Sequence, residues 1–345
     1  MKSLWMLWSA LAAVAVLAQE RDIMPRPPRP VASGNALAAL VRDTRVGEAQ
    51  RYKNLMVYPL FTAGRARQRY WTMDEALARG SLRITEKGEG NVPQLLVENR
   101  GDEPVFLLAG EIVKGGKQNR VVSQDILLAP HTGPISLSVF CVEQHRWAKS
   151  TASFGAEKQM AHSNLRQQLN APMASQSGVW GEVARKADAV APKAAGGTAY
   201  LGQVFDDKDV KRDVEEYAAR IRLPQEANGM AVVIGGRVVG AELFGDAETF
   251  GRLRDKLLRS YATDAIEYRG ADDKVWADTE RVERFLRRVE NARLVLKETV
   301  GIGQFFSVEG GGLYGSTLVW QEQRGAHGVV HASLFDEQPV IQPAK

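Results

Sequence analysis

Short apolar runs dominate the chain between Asn54 and Trp147. Gly, Pro, Asn and Asp separate these runs, which follow one another at intervals of about 8–15 residues, a spacing typical of antiparallel strands. We therefore predict strands at residues 55–61, 82–85, 94–99, 105–109, 121–128 and 135–142.

Beyond residue 200 the apolar positions follow the period of a helix instead. Asp206 or Asp207 can cap the first such helix, and Pro224 can end it. Two further apolar faces, behind Asp246 and Thr279, predict two more amphipathic helices. The apolar face of the first helix consists of Val210, Val214, Tyr217, Ala218 and Ile221.

The remaining patterns complete an α+β fold. Gly235-Gly236 lies between two apolar runs and predicts a tight β-hairpin. The polar stretch 155–185, interrupted at Pro172, predicts one or two irregular helices. The sequence thus predicts a β-rich antiparallel N-terminal half and a mixed helix/strand C-terminal half. Its last strands are expected at 294–300, 304–308, 313–321 and 328–335.

The N-terminus has the pattern of a secretory signal peptide at residues 1–18. Lys2 precedes an apolar run of about 14 residues, shorter than the ~20 that cross a bilayer, and small residues end the segment at Ala18. An uncleaved anchor is the alternative. No later run is apolar enough to span a membrane, so we expect an exported protein, periplasmic or extracellular.

The domain organisation follows from these patterns. After the signal peptide, residues 19–35 hold four prolines and predict an extended linker. A β-rich part at 36–150, a helical and linker segment at 151–198 and an α+β part at 199–338 come next. Residues 36–338 could also form one composite domain.

Composition limits the possible partners. The chain has 345 residues, of which 44% are hydrophobic and 25% charged, as in soluble globular proteins. Its 45 basic and 41 acidic residues give a net charge of +4, or +3 once Lys2 is removed, which is a thin surplus for binding nucleic acid. Cys141 is the one cysteine, so packing rather than an internal disulfide must stabilise the fold.

The first cluster of candidate chemistry lies between two predicted strands, at residues 110–120, where we expect a loop or hairpin rim. Gly115-Gly116 can turn backbone N–H groups toward one point, and Lys117 and Arg120 add positive charge suited to phosphate or carboxylate. The spacing does not match a Walker loop. The alternative is a solvated basic hairpin tip. The polar residues are Glu111, Lys114, Lys117, Gln118, Asn119 and Arg120.

The second cluster spans residues 141–147. If the preceding strand continues, its period of two places Cys141, Glu143 and His145 on one face, where they could bind a metal or support nucleophilic chemistry. The sequence lacks the second Cys or His pair of a structural zinc site. The alternative is that Cys141 is a small buried residue and that Glu143 pairs with Arg120 or Arg146.

These motifs resemble a known family. Residues 108–120, Pro130, the Cys-Val-Glu-x-x-Arg-Trp run at 141–147 and Gln176 with Trp180 occur in order. They are similar to the domain family named for its association with ADP-ribosylglycohydrolases and rhodanese-phosphatase-superfamily proteins, over about residues 40–335. The resemblance implies the company of enzymes that handle ADP-ribose or phosphate groups. It implies neither a reaction nor a cofactor.

Three functional hypotheses follow. In the first, the chain is an exported ligand-binding protein or enzyme for a phosphate-bearing or ADP-ribose-like molecule, with Glu111 or Glu143 as base or orienting carboxylate. In the second, it is a non-enzymatic envelope module with a buried ion-pair network. The third is a metal-dependent jelly roll using Glu111, Glu143 and His145. In the first hypothesis the anion is held by Lys117, Gln118, Asn119, Arg120, Arg146 and Trp147.

Overall fold

A computed structural model describes residues 34–62, 69–144, 151–192, 200–270, 276–321 and 327–338. Within these ranges the chain has the predicted α+β fold, with eight α-helices and three sheets that are antiparallel except for one strand pair. Among the described residues, no helix combines the length and apolar character needed to cross a membrane. The predicted signal peptide at 1–18 lies outside these ranges, as do His145, Arg146 and Trp147.

The helices are Gly34–Arg42 (α1), Met73–Ala78 (α2), Ser163–Asn170 (α3), Gln176–Val190 (α4), Leu201–Asp206 (α5), Lys208–Arg220 (α6), Ala247–Glu267 (α7) and Thr279–Arg287 (α8), which a 3-10 turn at Arg288–Asn291 extends. The strands of the first half are Arg45–Val46 (β1), Gln50–Tyr52 (β2), Leu55–Phe61 (β3), Trp71–Thr72 (β4), Leu82–Asn91 (β5), Gln94–Asn99 (β6), Val105–Leu107 (β7), Glu111–Gly115 (β8), Arg120–Val122 (β9), Ile126–Leu128 (β10) and Thr132–Cys141 (β11). Those that follow are Phe154–Met160 (β12), Gly229–Ile234 (β13), Arg237–Phe244 (β14), Arg293–Lys297 (β15), Gln304–Gly310 (β16), Leu313–Gln321 (β17) and His327–Asp336 (β18).

The largest sheet, the main sheet, combines strands from both halves of the chain. Its order is β1-β3-β13-β14-β18-β17-β16-β15, with β2 paired to β3. The junction is the antiparallel pair β3–β13, in which Val57 faces Val232. The first and last thirds of the sequence therefore share one hydrogen-bonded layer.

Both faces of the main sheet are covered, which explains why β13 is buried at every position. Leu55 and Val57 of β3 join a core that includes apolar residues of α6 and α7. The alternate residues Met56 and Tyr58 join a second core with α1 and α8. Side chains alternate between the faces of a strand, so a strand between two layers reads as a continuous apolar run.

A six-stranded second sheet, in the order β12-β8-β9-β11-β6-β5, and a three-stranded sheet, β10-β7-β4, surround a third core. The single strand expected at 121–128 is wrong, because the chain leaves β9 after Val122 and enters β10 at Ile126. Asp125 in this break is fully buried, and its Oδ1 accepts the Ala109 N–H at 2.8 Å. The break therefore serves to place a polar residue in the interior.

Two further expectations need correction. The start of the polar stretch 155–185 is not helical but forms β12, the edge strand of the second sheet, where Ala156 faces Val113. An edge strand carries charged, solvated side chains and so resembles a surface helix in sequence. Residues 111–115 are not a loop either, since they form β8 and only residues 116–119 make the turn.

Several local signals are confirmed. The Gly235-Gly236 turn joins β13 to β14, with φ of +56° and +77° as a primed turn requires. The cap of α6 is Asp207 and not Asp206, because the Asp207 carboxylate accepts the N–H groups of Asp209 and Val210. Strands β3, β6 and β17 have the predicted bounds.

Candidate functional site

The two candidate stretches meet in space at the β9–β11 pair. Arg120 lies opposite Cys141 in the antiparallel register. The Asn119 N–H donates to Glu143 Oε2 at 3.0 Å, and the Gln118 side-chain amide donates to the Glu143 carbonyl at 2.8 Å. Residues 118–120 and 141–143 therefore form one polar cluster.

Most of this cluster is buried. Arg120 is fully inaccessible, and Gln118, Asn119 and Glu143 are each less than 8% exposed. The Arg120 Nε donates to the Val92 carbonyl at 3.2 Å. Buried groups of this kind are held by protein atoms, so Gln118, Arg120 and Glu143 are not directly open to a ligand.

Lys117 lies apart from this cluster. Its Nζ donates to the Glu89 carbonyl near the end of β5, and its backbone N–H donates to Glu86 Oε1 at 2.7 Å. The Lys117 amino group therefore points toward the end of β5. Arg146 and Trp147, the other predicted ligand-binding residues, lie outside the described residues.

Cys141 is a free, buried thiol. Its Sγ lies 3.2 Å from the Glu143 carbonyl oxygen, and the Gln176 amide makes hydrogen bonds of 2.8 Å to both the backbone N–H and the carbonyl of Cys141. Burial raises the pKa of the Cys141 thiol above its ordinary value. The reactive thiolate is therefore disfavoured, as in a structural cysteine.

Glu111 belongs to a different group of charges. Its carboxylate is fully buried, accepts the Leu108 N–H at 2.9 Å and accepts a hydrogen bond of 2.9 Å from Lys256 Nζ on α7. Lys256 also donates to Asp74 Oδ1 at 2.8 Å. Burial raises the pKa of Glu111, and the Lys256 ammonium offsets this only in part. Burial opposes the charge on Lys256, but the Glu111 and Asp74 carboxylates outweigh it and raise the Lys256 pKa.

A groove of about 540 Å³ connects these two groups. One wall is formed by β8 and β12 of the second sheet, and the other by α5, α6 and α7. Asn119 lines the groove beside the Glu143 cluster, and Lys256 lines it in front of Glu111. Glu111 and Glu143 thus lie behind the wall of the groove rather than on it. The basic residues of the wall are Lys114, Lys158, Lys211, Arg252, Lys256 and Arg259.

Two of these basic residues have no carboxylate partner within ion-pair distance in the described part of the chain. Lys158 and Lys211 are both exposed, whereas Arg259 makes two hydrogen bonds of 2.9 Å to Glu215. Arg259 is the main group that lowers the pKa of Glu215. Lys211 and Lys158 lower the same pKa further, so both lysines lie near the Arg259–Glu215 pair. We call this surface the lysine groove.

A third group of charges, which the sequence does not reveal, lies inside the protein. The Arg166 guanidinium binds both oxygens of Glu242 at 2.7 and 2.9 Å. His331 links Glu242 (3.0 Å) to Asp125 (2.6 Å), and Tyr261 donates to Glu242 at 2.6 Å. All five side chains are at most 1% exposed, so the network is shielded from bulk solvent. We call it the Glu242 network.

The charged groups of the Glu242 network shift one another's pKa values. Burial favours the neutral form of Glu242, but Arg166 and His331 outweigh it and hold the pKa of Glu242 well below its usual range. Burial likewise opposes the charge on His331, but Asp125 and Glu242 raise its pKa to about 9. His331 is therefore protonated at neutral pH.

A fourth polar cluster connects α4 to α7. The Lys186 ammonium, fully buried, donates to both Asp264 and Glu267, and Ser163 donates to the second oxygen of Asp264. Within the described residues, no group of three or more His, Cys, Asp or Glu side chains has an arrangement that could hold a metal ion.

Comparison with known proteins places the chain in a family. The family model for the ARG and Rhodanese-Phosphatase-superfamily-associated Protein domain, ARPP-1, matches residues 43–335. Neither a search of curated proteins nor one of solved structures found a match. Because the family model covers most of the sequence, the chain belongs to the ARPP-1 family.

Proposed function

We propose that the protein is exported and that it binds a small anionic molecule, of the phosphate-bearing or ADP-ribose-like class, in the lysine groove. The observation that carries the proposal is the pair Lys158 and Lys211, two exposed ammonium groups that line the same groove as Lys256 and have no carboxylate partners among the described residues. Six basic and five acidic side chains line the groove, which leaves a net formal charge of +1, and a positive charge in a concave site favours an anion. A groove of about 540 Å³ is within the usual size range of small-molecule sites.

The groups behind the wall support the same site. Lys256 faces the groove and donates a hydrogen bond to Glu111, whose pKa is raised by burial. A lysine and a buried carboxyl in contact can share a proton near a bound ligand. Lys256 is the proton-carrying group of this pair that a ligand would meet, and Glu111 positions it. These contacts support the binding of an anion and do not indicate a particular reaction.

Calorimetric titration tests the proposal. We expect ADP-ribose to bind the wild-type protein and unphosphorylated ribose not to bind. The double variant Lys158→Ala/Lys211→Ala should weaken ADP-ribose binding at least tenfold, because the two ammonium groups are removed. Lys208→Ala, an exposed lysine of α6 that does not line the groove, is the matched control and should bind like wild type. Unchanged binding in the double variant would refute the assignment.

The second candidate is a non-enzymatic envelope module held together by buried ion pairs. The observation that favours it is the Glu242 network, in which no charged group reaches solvent. Its residues differ from the pairing of Glu143 with Arg120 or Arg146 that the sequence suggests. The titration separates the two candidates, because a purely structural module gives no saturable anion binding in the lysine groove.

A further inference from the structure

A second groove, of about 720 Å³, lies between the start of β14, helix α8 and the end of β18. Four arginines and one aspartate line it, so its side chains carry a formal charge of +3. We call this surface the arginine groove. Its charged residues are Arg237, Arg281, Arg284, Arg288 and Asp336.

Two of the four guanidinium groups are neutralised within the protein. Arg288 binds Asp336 Oδ2 at 3.0 Å, and Arg284 binds Glu280 one turn earlier in α8. Arg237 and Arg281 differ, because they make no ion pair with any described residue. Arg237 donates to the side-chain carbonyl of Gln338 at 3.1 Å, and Arg281 donates to the Gly236 backbone carbonyl at 3.1 Å. Because both acceptors are neutral, the positive charges of Arg237 and Arg281 remain available to a ligand.

The fold holds these two arginines on ordered elements. Arg237 follows the Gly235-Gly236 turn as the first residue of β14. Arg281 lies in the first turn of α8, where its backbone N–H is capped by Asp278 at 2.8 Å. The side-chain bond from Arg281 to Gly236 ties the helix to the hairpin. Phe285 and Val238, both nearly buried, give the groove an apolar floor.

We propose that the arginine groove binds a soluble molecule that carries a diphosphate group, with Arg237 and Arg281 as the principal contacts. Guanidinium groups bind phosphate oxygens in a bidentate fashion, more strongly than neutral donors do. Each phosphate of a diphosphate group carries at least one negative charge near neutral pH, so the group balances the positive charges of Arg237 and Arg281. The groove is large enough for a nucleotide-sized ligand.

This site is independent of the lysine groove. The two grooves share no lining residue, and they are built on different elements, β14, α8 and β18 in one case and β8, β12 and α5–α7 in the other. Binding at either site can therefore be removed without touching the other. The proposal does not require the proposed function to be correct.

The test is a calorimetric titration of the Lys158→Ala/Lys211→Ala variant with inorganic pyrophosphate. This variant lacks the two lysines proposed to bind an anion in the lysine groove, so it reports on the arginine groove. We expect saturable binding that weakens at least tenfold in Arg237→Gln/Arg281→Gln. The matched control is Arg293→Gln, an exposed arginine of β15 paired with Glu309 outside the groove, and it should not change the affinity. Binding should also weaken as salt is raised, because exposed charges are screened.

A conservative double variant separates a loss of binding from a loss of folding. Arg237→Lys/Arg281→Lys keeps both charges but loses the bidentate geometry, so its affinity should fall between those of wild type and the Gln variant. Circular dichroism checks that each variant is folded. Equal binding of sulfate and pyrophosphate, or affinity unaffected by both double variants, would overturn the proposal. So would binding only to vesicles of phosphatidylglycerol and not to soluble pyrophosphate, since the surface would then recognise a membrane.

Discussion

Glu111, Glu143 and Glu242 show how this protein neutralises buried carboxylates. Glu111 contacts one lysine and one backbone N–H, Glu143 accepts the backbone N–H of Asn119, and Glu242 binds an arginine, a histidine, a tyrosine and a serine. A buried charge is tolerated only when its hydrogen bonds and its counter-charge are supplied. Glu242 has the fullest set of partners, and we therefore expect its loss to be the most costly.

Replacement of Glu242 tests the Glu242 network. Glu242→Gln leaves the Arg166 and His331 charges without their shared carboxylate, and we expect the free energy of unfolding to fall by about 3–5 kcal/mol. The control is Glu283→Gln, whose exposed ion pair with Arg287 should contribute about 0–1 kcal/mol. Urea denaturation measures both. A loss below about 1 kcal/mol for Glu242→Gln would show that the network is not held by charge.

His331 gives the stability a defined pH dependence. Its pKa is raised to about 9 by Asp125 and Glu242, from about 6.5 in the unfolded chain. A raised pKa stabilises the fold fully below the unfolded value, and this contribution is lost as the pH rises through about 9. We expect a loss on the order of 3 kcal/mol between pH 6.5 and 9.

Denaturation series at several pH values measure this slope. The comparison is His331→Gln, which should be less stable at pH 6.5 but should show a much flatter pH profile over the same range. An equal slope in both proteins would assign the titration to other groups.

The sequence could identify individual candidate residues but not their partners. Asn119 and Glu143 were singled out from local spacing, and they do come together, because the β9–β11 pair joins neighbouring segments. The contact from Lys256 to Glu111 spans 145 positions, and that from Arg166 to Glu242 spans 76. No periodicity within a helix or strand encodes contacts at that range, so the Glu242 network could not be predicted.

Secondary structure elements were predictable where a local rule decides them. The β13–β14 hairpin follows from two glycines that accept positive φ, and α6 follows from an apolar face between a cap and a proline. Strand β12 was missed because its exposed edge position gives it the composition of a surface helix. Its identity is fixed by pairing with β8, which is a tertiary contact.

The Asp207 cap offers a test for a single element. Asp207→Ala removes the acceptor for two backbone N–H groups at the start of α6 and should cost about 1 kcal/mol of stability. Asp207→Ser keeps a capping oxygen and should recover most of the loss. Thermal unfolding of the two variants and of wild type gives the comparison. Equal stability of the Ala and Ser variants would contradict the capping role.

The main sheet joins the β-rich first half of the chain to the mixed helix/strand second half. Since β3 pairs with β13, neither half can bury its share of the sheet without the other. We therefore expect one cooperative unfolding transition that far-UV circular dichroism and tryptophan fluorescence report at the same midpoint. Two separated transitions would show that the residues on either side of the β3–β13 pair unfold independently.

The proposed function requires the lysine groove, between the second sheet and helices α5–α7, to receive an anion. A crystal structure after soaking with tungstate tests this, because tungstate resembles phosphate and anomalous scattering reveals its position. We expect an anomalous peak in the groove within hydrogen-bond distance of Lys158 or Lys211. Anomalous peaks elsewhere on the protein with none in this groove, while it is open to solvent in the crystal, would contradict it.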